Sequence, residues 1–160
     1  MTSLPAFSLY DLENNQRAFP NDKASLLCFV REECETCHLS MPVIDAVFRA
    51  YDDTINVWVI GQEDNQKLRD RHHTNVPILD DTALKASFAY QVEIVPTIIL
   101  ADASGAKVVR WEAFHQGDWK DLIARLSELT GRPGPAIAWD QLPALRPGCG
   151  SKSLVSKLVS

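Results

Sequence analysis

Two cysteines three residues apart, Cys34 and Cys37, stand where one pattern of the chain ends and another begins. Before them runs Leu26-Leu27-Cys28-Phe29-Val30, an unbroken apolar stretch of strand length. Such a run suits a strand covered on both faces. After them, apolar residues recur at helical spacing at Met41, Ile44, Val47, Phe48 and Tyr51. On the first turn of a helix, cysteines at i and i+3 can close as a disulfide, and the helix dipole and free N–H groups favour thiolate. The run Cys34-Glu35-Thr36-Cys37 alone admits other chemistry. It is also half of a zinc site, and with His38 it reads as the Cys-x-x-Cys-His pattern of c-type haem attachment. No second close cysteine pair supplies ligands at zinc-finger spacing. The run by itself leaves redox, zinc and haem chemistry open, and its surroundings decide.

The chain has 160 residues, a net charge of −5 and 46% hydrophobic residues, about one soluble domain. Its Lys and Arg are scattered and form no basic face, so no nucleic-acid partner is expected. No apolar run reaches the roughly 20 residues that a membrane span needs. Met1-Thr2-Ser3-Leu4-Pro5 carries neither a basic nor an apolar signal region, which points to a cytosolic setting, with an exported mature form as the alternative. The four cysteines, Cys28, Cys34, Cys37 and Cys149, are too sparse for a disulfide scaffold.

Further elements follow from pattern. Residues 6–19 read as a short strand and turn. Ile55–Ile60 is a second buried strand, closed by Gly61, and residues 63–73 are polar and helix-compatible. Val76-Pro77-Ile78-Leu79 is extended, but its proline argues against a central paired strand. Residues 83–90 form a helix and 96–101 a strand. Ala103-Ser104-Gly105 turns into Lys107-Val108-Val109-Arg110-Trp111. Asp118 is the expected N-cap of a last helix that Gly131 and Pro133 stop. The order predicts an α/β fold, a sheet with helices on both faces. Residues 1–131 form this domain; 132–160, rich in Pro and Gly, form an extended, partly flexible tail docked through Ile137, Trp139 and Leu142.

With the strand before Cys34-Glu35-Thr36-Cys37, Pro42 after it and Val95-Pro96-Thr97 downstream, residues 6–130 resemble the thioredoxin superfamily. Within it they are most similar to TlpA/ResA-like, AhpC/TSA-related thiol–disulfide oxidoreductases. Val76-Pro77-Ile78-Leu79-Asp80 and Tyr90 through Gly105 extend the match. The resemblance implies a thioredoxin fold with a central mixed sheet. It implies that Cys34 attacks a substrate disulfide and Cys37 resolves the mixed disulfide. It further implies that Pro96 is a cis proline facing the cysteines, turning the backbone of Val95 toward an extended substrate. The partners would be a disulfide-containing protein and a thiol reductant system. With these surroundings and this resemblance, the preferred reading of the pair is a redox dithiol without metal or organic cofactor.

The chain departs from the resemblance in several places. Glu33 stands where many relatives have an aromatic residue, Cys28 where thioredoxins have a buried Asp, and Ser40 where ResA-like members often have an acid. Glu32, Glu33 and Glu35 crowd Cys34, and like charges disfavour a thiolate. The Cys34 thiol is therefore expected to be less depressed than in strongly oxidising relatives, and the pair to be reducing. Glu35 and His38 are candidate tuning residues. Cys28 reads as buried filler, and Cys149, flanked by Gly148 and Gly150, as a candidate third redox thiol. His72 and His73 read as surface, Trp58 and Phe88 as core, Trp111 and Trp119 as packing, and Glu63 as a loop residue. Two other functions compete. One is a peroxiredoxin-like thiol peroxidase with an antioxidant role, whose Pro-x-x-x-Thr-x-x-Cys pattern is absent here: Leu27 and Arg31 hold the Pro and Thr positions. The other is a non-catalytic thiol- or metal-binding module using Cys34, Cys37 and Cys149.

Overall fold

The computed structural model describes residues 2–153. The remainder of the predicted tail, 154–160, lies outside the described residues. The strands are β1 (Phe7–Tyr10), β2 (Gln16–Phe19), β3 (Ser25–Val30), β4 (Asn56–Gly61), β5 (Ile78–Asp80), β6 (Ile94–Val95), β7 (Thr97–Ala101), β8 (Lys107–Glu112), β9 (Phe114–His115), β10 (Leu145–Arg146) and β11 (Cys149–Gly150). The helices are α1 (Glu35–Tyr51), α2 (Asn65–His72), α3 (Lys85–Ala89) and α4 (Gln116–Thr130).

Five strands form the central mixed sheet in the order β5-β4-β3-β7-β8. β3 runs parallel to β4, and β4 to β5. β7 is antiparallel to β3 and β8. Every residue of β3 is buried, as a central strand covered on both faces requires. Helices flank this sheet, and the core around Leu26, Phe29, Ile44, Ile60 and Trp119 is continuous. β5 lies at the sheet edge, where Pro77 costs no central ladder bond. The β1–β2 hairpin packs over the core through Phe7, stacked 5.4 Å from Phe19.

Three sequence expectations are corrected. Phe88 is 59% exposed; the one-turn α3 turns Ala86 and Ser87 inward instead. The cap of α4 is His115, and Asp118 sits in the first turn, where its charge still favours the helix dipole. His72 is half-buried rather than on the surface, its ring stacked on that of His38. Trp58 and Trp119 are buried, and Trp111 meets Trp119 edge-on at 5.4 Å. Gly131 ends α4 with φ +70°, the left-handed conformation that favours glycine.

The stretch 132–153 is docked. Ile137, Trp139 and Leu142 pack against the core. The Gln116 side-chain amide donates to the carbonyls of Trp139 and Leu142, both at 2.8 Å. β10 pairs with β9, and β11 with β6, both antiparallel.

Candidate redox site

Cys34 is the N-cap of α1, with extended backbone (φ −150°, ψ 109°). Its sulfur takes the place of the usual Ser or Asp oxygen and accepts the Cys37 N–H at 3.2 Å. The strand β3 delivers the chain to this point, so the dithiol sits at a sheet end against a helix N-terminus. As a thiol, Cys34 donates to the Val95 carbonyl at 3.6 Å. The Val95–Pro96 peptide is cis. Cys34, Cys37 and Val95 thus meet at one place, although Val95 is 61 residues from Cys34.

The three sulfurs at this site differ in acidity. A hydrogen bond from the Cys37 thiol is the main force lowering Cys34 to about 6; burial opposes it, and hydrogen bonds from Cys149 and the Cys37 N–H add to the lowering. Burial pushes the Cys37 thiol well up, as do its hydrogen bond to Cys34 and the charge there. Burial also raises Cys149, followed by the same two influences from Cys34. Outside this site, burial alone raises Cys28, which lies on β3 within the hydrophobic core.

Two members of the expected acidic collar, Glu32 and Glu35, are engaged elsewhere. Glu32 is 4% exposed, and its carboxylate lies 3.7 Å from Lys67 Nζ, 3.9 Å from His38 Nε2 and 4.0 Å from Arg71. Glu35 accepts from Arg146 at 2.6 Å. Glu33 is exposed. His38 does not reach the sulfurs through any hydrogen bond among the described residues. Its Nε2 lies 2.5 Å from the Glu32 carbonyl and 3.1 Å from Arg71 Nη1. Its Nδ1 lies 2.8 Å from His72 Nε2. Burial, foremost, lowers both imidazoles, His72 to about 4.

The segment after β10 lies across the cysteines. The Thr36 hydroxyl donates to the Pro147 carbonyl at 2.6 Å. Cys149 stands opposite Val95 in the β11–β6 register, and Gly150 opposite Ile94. Ser151 N donates to the Glu93 carbonyl at 3.0 Å. Gln62 donates to Ser151 Oγ at 2.7 Å and accepts from Lys152 N at 3.0 Å. An open cavity of about 670 Å³ remains beside this segment, lined by Cys34, Thr36, Arg71, Arg146 and Cys149 among others. Among the described residues, no group of three or more His, Cys, Asp or Glu is placed to hold a metal ion.

The fold brings the sequence-predicted Cys34, Cys37, Val95, Pro96 and Cys149 together. Sequence reasoning missed Thr36, Gln62, Arg146 and Ser151, which hold the covering segment. Arg146 and Ser151 did flank the Pro147-Gly148-Cys149-Gly150 run, the one local signal available. Glu63 is a loop residue that also faces this region, 3.8 Å from Arg31 and 3.9 Å from Lys152.

No family model matches the chain. No curated protein matches it. Solved structures do. A putative thiol:disulfide interchange protein DsbE from Chlorobium tepidum superposes with a TM-score of 0.72 at 18% identity, over 79% of this chain and 94% of that one. A putative protein disulfide isomerase from Bacteroides thetaiotaomicron gives 0.74 at 16% identity, over 79% and 86%. StoA from Bacillus subtilis gives 0.64 at 18%, over 79% and 96%. Similarity at this level of identity speaks for architecture, and the mixed sheet, flanking helices and dithiol at the start of α1 agree with it: the chain has the thioredoxin fold.

Proposed function

We propose that the protein is a thiol–disulfide oxidoreductase acting on disulfides of other proteins. The observation that carries this reading is the Cys34 sulfur at the start of α1, capped by the Cys37 N–H at 3.2 Å and acidic enough, at about 6, to be thiolate at neutral pH. The thiolate is the nucleophile in disulfide exchange.

Cys34 attacks one sulfur of the substrate disulfide. A Cys34–substrate bond forms and the other substrate sulfur leaves as thiolate. Cys37 then attacks Cys34, forming the Cys34–Cys37 disulfide and releasing the second substrate thiolate. Two of the influences that hold the Cys37 proton, its hydrogen bond to the Cys34 sulfur and the charge there, vanish once Cys34 is bonded to substrate. The resolving thiol therefore becomes easier to ionise at the step that needs it. Val95 and Pro96 beside Cys34 offer backbone to an extended substrate peptide. A thiol reductant returns the pair to the dithiol. A Cys34 thiol at about 6 lies above the about 3.5 of a strong oxidant, which supports a reductive role.

Insulin turbidity with dithiothreitol tests this reading. Cys34→Ser should abolish the signal, whereas a Cys34→Ser chain as active as the parent overturns it. The proposal carries a cytosolic setting with it. Similar folds include a secreted Mycobacterium tuberculosis disulfide oxidoreductase, so fractionation of cells expressing the full chain decides the compartment.

A further inference from the structure

A dithiol that exchanges with other proteins needs its nucleophile within reach of them, yet Cys34 is 3% exposed and Cys37 fully buried. What covers Cys34 is the chain itself. Residues 146–152 are held at almost every position: Arg146 by Glu35, Pro147 by Thr36, Cys149 and Gly150 by the β6 backbone, Ser151 by Glu93 and Gln62, Lys152 by Gln62. This is the manner in which an extended peptide adds to a strand, with backbone bonds for affinity and one side chain aimed at the site. That side chain is a cysteine, opposite the residue whose carbonyl contacts Cys34. Gly148 fits the same arrangement. A Cβ there would strike the Ile94 side chain and lie 2.6 Å from the Val95 carbonyl oxygen. Only glycine lets the strand approach so closely. Unlike its two neighbours, Cys149 is partly exposed.

We propose that Cys149 is a third redox thiol, and that residues 146–152 are a tethered substrate strand through which oxidation passes from the Cys34–Cys37 pair to a Cys34–Cys149 disulfide. This rests on the thiol–disulfide exchange reading above. The step is redox-neutral. Cys149 thiolate attacks Cys34 of the Cys34–Cys37 disulfide; the new Cys34–Cys149 bond forms, and Cys37 leaves and takes up the proton that Cys149 lost. The oxidised bond now includes a sulfur that solvent reaches. An external dithiol reductant attacks Cys149, Cys34 leaves as thiolate, and the second thiol of the reductant releases Cys149, so that the protein gains two thiols and the reductant becomes a disulfide. In this second exchange Cys34 leaves more readily than Cys149 would, being the more acidic of the two.

Two measurements on the full chain test the proposal. In Cys37→Ala, treated with one equivalent of oxidised glutathione, peptide mapping without reduction should find Cys34 linked to Cys149 and two glutathione thiols released per chain. Cys34 left glutathionylated beside a free Cys149 overturns it. In the second, the oxidised parent and Cys149→Ser are reduced by dithiothreitol. Serine keeps the strand docked and removes the relay, so the rate should fall at least about fivefold, and an unchanged rate overturns the proposal. Gly148→Val, which lifts the strand, should lose the Cys34–Cys149 link when placed in the Cys37→Ala background. Persistence of the link there shows that docking does not direct it and overturns the tethered-strand part. Insulin reduction by the parent separates the two readings. A chain that forms Cys34–Cys149 without reducing insulin keeps the third thiol and loses the oxidoreductase function; the reverse result loses only the third thiol.

Discussion

The Thr36 hydroxyl donates to the Pro147 carbonyl at 2.6 Å, so the helical turn that carries Cys34 and Cys37 also holds the strand that covers them. Thr36→Val keeps the shape and removes the bond. A hydrogen bond of this kind contributes about 0.5–1.5 kcal/mol net. The iodoacetamide alkylation rate of Cys34 in the reduced chain should therefore rise roughly 2- to 10-fold. An unchanged rate would mean that the strand opens without breaking this contact.

The acidity of Cys34 sets a pH profile. Alkylation should rise with pH through a midpoint of about 6. Because the Cys37 thiol is the chief cause of that value, Cys37→Ala should move the midpoint up toward the ordinary thiol range. The sign for stability is fixed as well. Between about 6 and the ordinary thiol pKa the folded state is thiolate and the unfolded state thiol, so the reduced protein gains stability as pH rises. Above that range Cys37 and Cys149, both raised, keep protons that the unfolded chain loses, and stability declines. Urea midpoints of the reduced protein from pH 5 to 10 should pass through a maximum, and a flat profile between 6 and 8 contradicts the assignment.

How much of this site was legible in the sequence depended on which interactions made it. Leu26–Val30, the Met41–Tyr51 spacing and the Val95-Pro96-Thr97 element announced the strand, the helix and the loop that meet at Cys34, because apolar periodicity is written in side chains. The β6–β11 pairing was not readable. Each partner is two residues long and joined only through backbone, so no side-chain period marks it. Phe88 was misread because an aromatic in an apolar context usually packs inward, whereas the single turn of α3 spends its inward positions on Ala86 and Ser87. The His38–His72 pair was missed because its partners are 34 residues apart and one lies on a largely polar helix.

That pair makes its own prediction. His72 is lowered to about 4 by burial first, then by His38 and Arg71. The unfolded chain binds a proton near the usual imidazole value of about 6.5 while the folded chain refuses it. Stability is therefore lost as pH falls from about 6.5 toward 4. His72→Gln should flatten this part of the thermal melting profile, and a variant with the parent's slope would show that other groups govern acid sensitivity.

Cys28 separates packing from chemistry. It is fully buried in β3, and burial raises its thiol beyond reach of neutral pH. In the folded chain it should resist iodoacetamide while Cys34 reacts. Cys28→Ala deletes a small buried group and should cost about 1–2 kcal/mol in denaturant unfolding. The alkylation rate of Cys34 should stay as in the parent, and a change would tie Cys28 to the site.

The pairing of Cys149 and Gly150 with Val95 and Ile94 also bears on solubility. Unpaired strand backbone is a template on which other chains nucleate edge-to-edge aggregation. In the resting protein its own residues occupy that template, and on the proposed function a substrate peptide that displaces them would occupy it in turn. The β6 backbone is thereby covered against edge-to-edge pairing with other copies at the place where, on the proposed function, extended polypeptide would bind.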